Sequence, residues 1–484
     1  MKFKKKLLLI SILILVSHSQ VHSQNIEMMI PKKENYGIDQ KHKIIVWNFK
    51  IPDVPNSNSN MLNINFEGDY LFSSSLDSLS YAKSYDVNYN GEIFKLYITQ
   101  LPVIKITSEE AIEDDPKVPS QFTFANQDSI KSAIAGVELR GNISLKFPKK
   151  SYDLEFWETS QGETSVDMMF GDLREDDDWI LDGLYNEPLR LRSYFCNKLW
   201  LSINKPSYIN QEDGAKSGID LMFAEVFLDS KYIGIHALTE QVDRKLLQLK
   251  KYKKGKVRGE LFKAGSHNGA PAYKMAPKYK NIFPHWAGYE VEYPFINYKA
   301  QWKNIYRFTK FVIKSKDSTF KKRIAKRFDL DNAIDYFLFI NLVRATDNLG
   351  KNFYVARYNK KTPYFNVPWD LDGVLGTIQD GKRIPTTNDI LSNGLFDRLL
   401  KVNPSNYRNR LKARWFSLRE QQFSNEMLFK NLKESYDYFA NNKVYERESL
   451  IWPSDVALSD HLSYMESWLS NRLLYLDSYF NDLQ

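Results

Sequence analysis

The sequence is poor in the residues that build disulfides and metal clusters, since Cys196 is its single cysteine among 484 residues. One cysteine excludes an internal disulfide and a cluster of thiolate ligands. Five histidines follow residue 23, and none of them stands in HExxH or another close pair, which disfavours a zinc hydrolase. The P-loop pattern GxxxxGK(S/T) and the nucleophile pattern GxSxG are both missing. An apolar core must therefore stabilise the fold, and this length allows a large one.

The first residues have the pattern of a secretory signal peptide. Met1 to Lys6 is basic, Leu7 to Val16 is apolar, and Val21-His22-Ser23 offers small residues for cleavage. The apolar run is short for a membrane span, although a membrane anchor is the alternative. No cysteine follows it directly, which disfavours a lipid anchor. We predict that residues 1–23 are removed and that the mature chain is exported to the periplasm, the cell surface or the medium, without a stable membrane span.

The net charge of +8 does not predict a nucleic-acid partner. Half of this charge comes from Lys2, Lys4, Lys5 and Lys6, which lie in the leader. What remains is small for a mature chain of this length. A second concentration of lysine lies at residues 245–256. We interpret it as a solvated helix face and loop, with an acidic partner as the alternative.

The order of patterns predicts an α+β protein. Residues 24–97 alternate short apolar runs with turn residues, and Asn90-Gly91 is a strong hairpin signal, so we predict a small β-rich module there. Further strands follow from Leu101. After Tyr298 the chain is mostly helical, with one helix from Asp331 to about Arg344. This order is typical of a two-lobed enzyme rather than a doubly wound parallel sheet.

Several shorter elements are also predicted between residues 98 and 265. The segment containing Arg140 should pair with the strand after Lys150, because both alternate apolar and polar residues. Asp229-Ser230-Lys231 separates two apolar runs and predicts a second hairpin. Leu189 to Ile203 has helical periodicity with few breakers.

A third hairpin is predicted between Asn352 and Asp370. Phe353 to Tyr358 is aromatic and β-branched, a polar turn follows, and Tyr364 to Trp369 runs back. Folding about the turn brings Asn352 and Asp370 to the same open end, because paired strands lie about 5 Å apart. Oxygen ligands at such a separation suit Mg²⁺ or Mn²⁺.

Asp347 stands five residues before Asn352, the spacing of a kinase catalytic loop. In that loop the Asp accepts a hydroxyl proton and the Asn holds metal. Asp370 and Asp372 complete a set of oxygen atoms such as phosphoryl transfer requires. A glycoside hydrolase with paired carboxylates is a further alternative, although alternating residues of a strand point to opposite faces.

Beyond these patterns, the chain from about Leu101 to its end resembles the spore coat protein H (CotH) family of secreted atypical protein kinases. Several ordered blocks carry this resemblance. They are LRGNIS (Leu139 to Ser144), FPKKSYDLEF (Phe147 to Phe156), DDWILDG (Asp177 to Gly183), LRLRSYFCNKL (Leu189 to Leu199), AEVFLDSKYIGIHALTEQVD (Ala224 to Asp243), GELFK (Gly259 to Lys263), DNLGKN (Asp347 to Asn352) and PWDLDG (Pro368 to Gly373).

The resemblance implies a two-lobed atypical protein-kinase-like fold that binds ATP and a divalent metal. Residues 98–484 would form it, with an N-lobe at about 98–265 and a C-lobe at about 290–484. By matched position Asp347 would be catalytic, and Asn352, Asp370 and Asp372 would hold the metal. The implied nucleotide-binding residues are Arg140, Gly141, Asn142, Lys150, Glu240 and Lys263.

The implied activity is transfer of the ATP γ-phosphate to Ser or Thr of exported or cell-surface proteins. The β-rich module and the aromatic content keep an alternative open, a catalytically silent surface or matrix-binding protein of the same fold. The sequence indicates neither the acceptor protein nor the oligomeric state.

Overall fold

The structure is a computed structural model that describes residues 26–52, 61–73, 78–275, 278–296, 301–454 and 456–484. The signal peptide predicted for residues 1–23 lies outside the described residues. None of the described helices is both long and apolar enough to cross a bilayer. The mixture of strands and helices confirms the predicted α+β class.

The first sheet has seven strands in the order β1-β4-β5-β6-β7-β3-β2. The strands are β1 (Ile26–Met29), β2 (Tyr36–Asp39), β3 (Ile44–Asn48), β4 (Met61–Asn65), β5 (Asp69–Phe72), β6 (Ser84–Tyr89) and β7 (Glu92–Thr99). Asn90 and Gly91 have φ angles of 52° and 84°, as a tight hairpin between β6 and β7 requires. The hairpin predicted at Asn90-Gly91 is confirmed.

The second unit is a closed barrel of seven strands in the order β10-β11-β14-β16-β15-β8-β9. These strands are β8 (Val103–Ser108), β9 (Val118–Ala125), β10 (Ile130–Leu139), β11 (Tyr152–Trp157), β14 (Asp178–Asp182), β15 (Leu221–Leu228) and β16 (Lys231–Thr239). A short ribbon of β12 (Met168–Met169) and β13 (Glu175–Asp176) lies between β11 and β14 in the chain. The predicted pairing of the segment containing Arg140 with the strand after Lys150 is confirmed, because β10 pairs with β11. The predicted hairpin at Asp229 is confirmed by the pairing of β15 with β16.

The third sheet has five strands in the order β18-β19-β17-β20-β21. They are β17 (Glu260–Gly265), β18 (His285–Trp286), β19 (Tyr289–Tyr293), β20 (Lys351–Arg357) and β21 (Tyr364–Pro368). The described helices are α1 (Arg192–Ile203), α2 (Lys303–Lys314), α3 (Asp317–Arg323), α4 (Leu330–Val343), α5 (Gly394–Val402), α6 (Tyr407–Arg419), α7 (Asn425–Asn441), α8 (Val444–Ile451) and α9 (Leu458–Asp482).

Helix α4 lies in the largest core and leads directly to Asp347. It is buried on nearly every side, so its sequence is apolar around most of its circumference. The side chain of Asp329 caps the helix by accepting hydrogen bonds from the backbone N–H groups of Asp331 and Asn332. Arg344 ends the helix in the left-handed region, with a φ of 54°. The chain then turns to place Asp347 before β20.

Two predicted helices differ from the structure. Helix α1 begins at Arg192, three residues after the predicted start. The helix predicted within residues 245–256 is wrong, because that segment forms turns and loops. Gln248, Lys254 and Gly255 have φ angles of 44°, 51° and 70°, and such left-handed residues interrupt a right-handed helix.

Candidate active site

The predicted hairpin of β20 and β21 is confirmed, and its open end gathers the predicted acidic set. Phe353 pairs with Pro368, and the Trp369 N–H donates to the carbonyl oxygen of Asn352 at 3.1 Å. Asn352 and Asp370 both have a φ of 57°, so the backbone leaves the regular strand at both positions. The Asn352 amide donates to Asp370 at 2.8 Å and to Asp347 at 3.3 Å. One amide therefore joins the three predicted side chains.

Asn348 closes this open end from behind. Its buried side-chain amide donates to the Trp369 carbonyl oxygen at 2.9 Å and also to the carbonyl oxygen of Asn352. Tyr336 of α4 donates its hydroxyl to the Asn348 carbonyl oxygen at 2.9 Å. The helix, the turn and the hairpin thus form one hydrogen-bonded unit.

A cavity of about 700 Å³ opens in front of this unit. Eight of the ten residues predicted for the site line it. They are Arg140, Gly141, Asn142, Lys263, Asp347, Asn352, Asp370 and Asp372. The barrel contributes the first three, and the third sheet with its adjoining loops contributes the others. A ligand in this cavity would therefore touch both parts of the chain.

Lys150 and Glu240 are not among the described residues that line the cavity. The Lys150 ammonium donates to the Leu145 carbonyl oxygen at 2.7 Å. Glu240 is fully buried, where it accepts from Lys216 at 2.5 Å and from two backbone N–H groups. Both side chains are engaged within the fold.

Asp347 has two basic neighbours that the sequence analysis did not select. The Lys351 ammonium lies 2.7 Å from one carboxylate oxygen, and His267 Nε2 lies 3.3 Å from the other. Lys351 follows Asp347 by four residues, so its nearness in the sequence was a usable signal. His267 is 80 residues away in the chain, and no local pattern links it to Asp347.

The carboxylates of the cavity repel one another. The pKa of Asp370 is raised, first because the surrounding protein desolvates its carboxylate and then by the charge of Asp182, although solvent reaches Asp370 from the cavity. Burial and the charge of Asp370 raise the pKa of Asp372 well above its ordinary value. Arg140 and Lys263 oppose the shift of Asp370. A bound cation would relieve this repulsion.

The chemistry of these residues fits a divalent metal. Asp372 Oδ2 accepts from the Asn186 amide at 2.7 Å, but the buried Asp372 Oδ1 has no hydrogen-bond partner among the described residues. A buried carboxylate oxygen without a donor is costly unless a cation meets it. Together with Asp370 and Asn352 it offers the hard oxygen ligands that Mg²⁺ and Mn²⁺ prefer.

A tighter acidic cluster lies elsewhere in the described part of the chain. Oxygens of Asp167, Asp176 and Asp177 come within 4.8 Å of one another. The Lys245 ammonium bonds to all three carboxylates, and Arg174 pairs with Asp176. Lys245 and Arg174 already occupy oxygens of that cluster, so the cavity is the better candidate for a metal.

Lys149 also lines the cavity, whereas the sequence pattern led us to predict its neighbour Lys150. Its ammonium is fully buried, 2.5 Å from Glu448 Oε1 and 2.6 Å from the Ile235 carbonyl oxygen. Burial lowers its pKa to about 8, and Glu448 opposes that shift. Arg190 pairs with the same Glu448 oxygen at 3.1 Å. Lys149 and Asp182 both belong to blocks that carried the family resemblance, so a signal for them existed.

Comparison with known proteins identifies the family of the chain. The family model described as CotH kinase protein matches residues 137–476, which is well over half of the chain and includes every predicted site residue. No curated protein matches the chain. The resemblance found from the sequence is confirmed, and the chain belongs to the CotH kinase protein family.

Proposed function

We propose that this kinase-like protein is an exported, two-lobed phosphotransferase that moves the γ-phosphate of ATP to Ser or Thr of exported or cell-surface proteins. The observation that carries the proposal is the Asn352 amide, which joins Asp347 at 3.3 Å and Asp370 at 2.8 Å beside a cavity of about 700 Å³. This combination of an Asp, an Asn and a second Asp is the set used in kinase phosphoryl transfer.

Asp347 is the proposed base. Its carboxylate would accept the proton of the acceptor hydroxyl as the phosphate is transferred. Lys351 and Asn352 hold this carboxylate in place through contacts of 2.7 Å and 3.3 Å. Such positioning matters because catalysis of this reaction consists mainly of orientation and charge stabilisation.

Asn352, Asp370 and Asp372 are the residues that would hold Mg²⁺ or Mn²⁺. A divalent ion supplies neutralisation of phosphate charge and orientation of the transferred group. The unpartnered oxygen of Asp372 supports this assignment. The Asn186 amide, at 2.7 Å from the other oxygen of Asp372, holds that carboxylate in place.

The phosphates would lie against Arg140, Gly141 and Asn142. Gly141 has a φ of 113°, and a Cβ there would collide with the side chain of Ser144, so glycine is required in this turn. Lys263 and Lys149 line the same cavity and supply positive charge. The proposal does not use the side chains of Lys150 and Glu240, because neither residue is among the described residues that line the cavity.

The test is transfer of labelled γ-phosphate from ATP to the chain itself and to a generic protein acceptor, with and without Mg²⁺ or Mn²⁺. We expect Asp347→Asn and Asp370→Asn each to reduce metal-dependent transfer by at least about a hundredfold. Asp128→Asn is the matched control, because this exposed aspartate lies on the turn between β9 and β10, away from the cavity.

Unchanged transfer in both cavity variants would show that the site is assigned wrongly. Calorimetry with ATP and Mg²⁺ or Mn²⁺ separates the kinase from the catalytically silent surface or matrix-binding protein. Absence of both nucleotide heat and phosphate transfer would favour the silent binding protein.

A further inference from the structure

Helix α8 touches three parts of the molecule through three consecutive residues. Glu446 contacts the first sheet, Arg447 contacts the first sheet and the barrel, and Glu448 contacts Lys149 at the cavity. The helix is only eight residues long, and four of them are buried. A displacement of α8 would therefore change its contacts with the first sheet, with the barrel and with Lys149.

The contact with the first sheet is specific. Glu446 Oε1 accepts from the Ser84 hydroxyl at 3.0 Å and from the Tyr97 hydroxyl at 3.1 Å. Ser84 begins β6, and Tyr97 lies opposite it on β7. Lys443 lies 3.0 Å from the other oxygen of Glu446, so this carboxylate is held on several sides.

Arg447 ties the first sheet to the barrel. It is fully buried, its Nε lies 3.0 Å from Glu225 of β15, and its Nη2 donates to the Thr99 hydroxyl at 3.2 Å. Tyr232 of β16 donates its hydroxyl to the other oxygen of Glu225 at 2.6 Å. A buried charge pair of this kind strongly resists the loss of either partner.

The next residue, Glu448, connects α8 to Lys149 on the cavity wall. One of its oxygens holds Lys149 at 2.5 Å, and the other accepts from the Ile235 N–H at 2.8 Å. A Cβ at Gly234 would collide with this carboxylate, and the φ of 83° there also requires glycine. Glu448 thus fits closely against β16 and, together with the Ile235 carbonyl oxygen, holds the Lys149 ammonium.

We infer that the first sheet positions the nucleotide site: it holds α8 in place, and Glu448 of α8 holds Lys149 on the cavity wall. The sheet precedes residue 137, where the match to the family model begins. The step from Lys149 to ATP rests on the proposed function. The step from the sheet to Lys149 rests only on the contacts above.

The test removes the two hydroxyl groups that hold Glu446, in the full chain, with Ser84→Ala and Tyr97→Phe combined. Tyr85→Phe is the matched control, because the Tyr85 hydroxyl lies in the same sheet but bonds to Ser80 rather than to α8. The first readout is labelling of Lys149 by an amine-reactive reagent, located by mass spectrometry, with exposed Lys146 as the internal reference. The second readout is steady-state kinetics, which compares the change in the KM for ATP with the change in kcat.

We expect Lys149 in the double variant to react about fivefold faster than in the unaltered protein, because two hydrogen bonds to Glu446 are lost. The KM for ATP should rise by a similar factor with a smaller change in kcat, and the control should change neither quantity. Each single variant should show a smaller rise in the labelling rate of Lys149 and in the KM for ATP. If the double variant fails to fold, the single variants take its place in the test.

Slow labelling of Lys149 and an unchanged KM in a folded variant would overturn the inference. Labelling needs no ATP, so it decides the inference even where the proposed function fails. Faster labelling without nucleotide turnover in the unaltered protein would support positioning of Lys149 by the sheet and would refute the proposed kinase activity.

Discussion

His236 shows how strongly the surroundings of a single residue set its charge state. Its ring is fully buried in β16, with Nε2 3.1 Å from the Lys150 carbonyl oxygen and Nδ1 3.3 Å from that of Gly234. Burial lowers its pKa to about 3, and the charge of Lys149 acts in the same direction. The imidazole is therefore neutral in the folded protein at every pH where the protein would be handled.

This shift predicts a loss of stability on acidification. Below its ordinary pKa of 6.5 the unfolded chain takes up a proton on His236 that the folded chain refuses until about pH 3. The unfolded state binds more protons, so the free energy of unfolding falls as the pH falls through this window. Between pH 7 and pH 5 the loss from this residue should be about 2 kcal/mol.

The measurement is urea unfolding at pH 7 and pH 5 for the unaltered protein and for His236→Gln. Between pH 7 and pH 5 the free energy of unfolding should fall by about 2 kcal/mol less in His236→Gln than in the unaltered protein. His285→Gln is the control, because His285 is exposed and should leave the difference unchanged. An equal pH dependence in His236→Gln would contradict the assignment.

Adjacent lysines illustrate what residue-level reasoning could not decide. The family block containing Lys149 and Lys150 predicted a lysine near the phosphates, and one of the two does line the cavity. Successive residues of an extended chain point to opposite sides, so a shift of one residue exchanges their roles. The pairing of β11 with β10 and β14 sets that register, and it involves residues up to about thirty positions away.

At the level of elements, the hairpin of β20 and β21 was predictable because its signals are local. Its strand residues, its polar turn and the residues at its open end all lie between Asn352 and Asp370. The buried Asn348 that secures this end was not predicted. It does so by donating to two backbone carbonyl oxygens, and a single asparagine gives no sequence pattern for that role.

Removing the Asn348 amide should loosen the open end of the hairpin. We expect Asn348→Ala to destabilise it by about 2 kcal/mol, because two hydrogen bonds to backbone carbonyl oxygens are lost. Hydrogen exchange of the β20 and β21 amides measures this opening directly. Asn359→Ala at the closed end is the control, since the Asn359 side chain bonds only to the exposed Lys360 N–H of its own turn. Equal protection in both variants would refute the role of Asn348.

Helices show the same division between local and non-local information. The helix before Asp347 was predicted almost to its ends, because an Asp cap and an apolar run define α4. The predicted helix within residues 245–256 is wrong, although lysine favours helices. The Lys250 N–H there donates to the Tyr358 carbonyl oxygen, and the Lys250 carbonyl oxygen accepts from the Gly259 N–H, so contacts outside the segment replaced the local preference.

At the scale of the whole molecule, the cavity lies where the barrel meets the third sheet. Its lining includes Arg140 from the end of β10 and Asp370 from the end of β21, which are 230 positions apart. A ligand that bridges such surfaces stabilises the folded state, because the unfolded chain cannot form the site.

We expect Mg²⁺ together with a non-hydrolysable ATP analogue to raise the melting temperature. At a hundred times the Kd the stabilisation should be about 2.7 kcal/mol. Asp372→Asn should lose most of this increment, because its buried, unpartnered oxygen is a proposed metal ligand. Thermal unfolding with each component alone, and with a chelator, provides the controls. An undiminished increment in the variant would show that Asp372 is not a ligand.

Local patterns were sufficient to predict the α+β class, the hairpins, the helix before Asp347 and most of the acidic set, because each depends on residues close together in the chain. The parallel pairing of β8 with β15 that closes the barrel could be seen only in the folded protein, since it joins Val103 to Glu225. The tertiary structure also decided that Lys149 faces the cavity and that α8 links it to the first sheet. These features depend on which distant surfaces bury one another, and no local pattern encodes that choice.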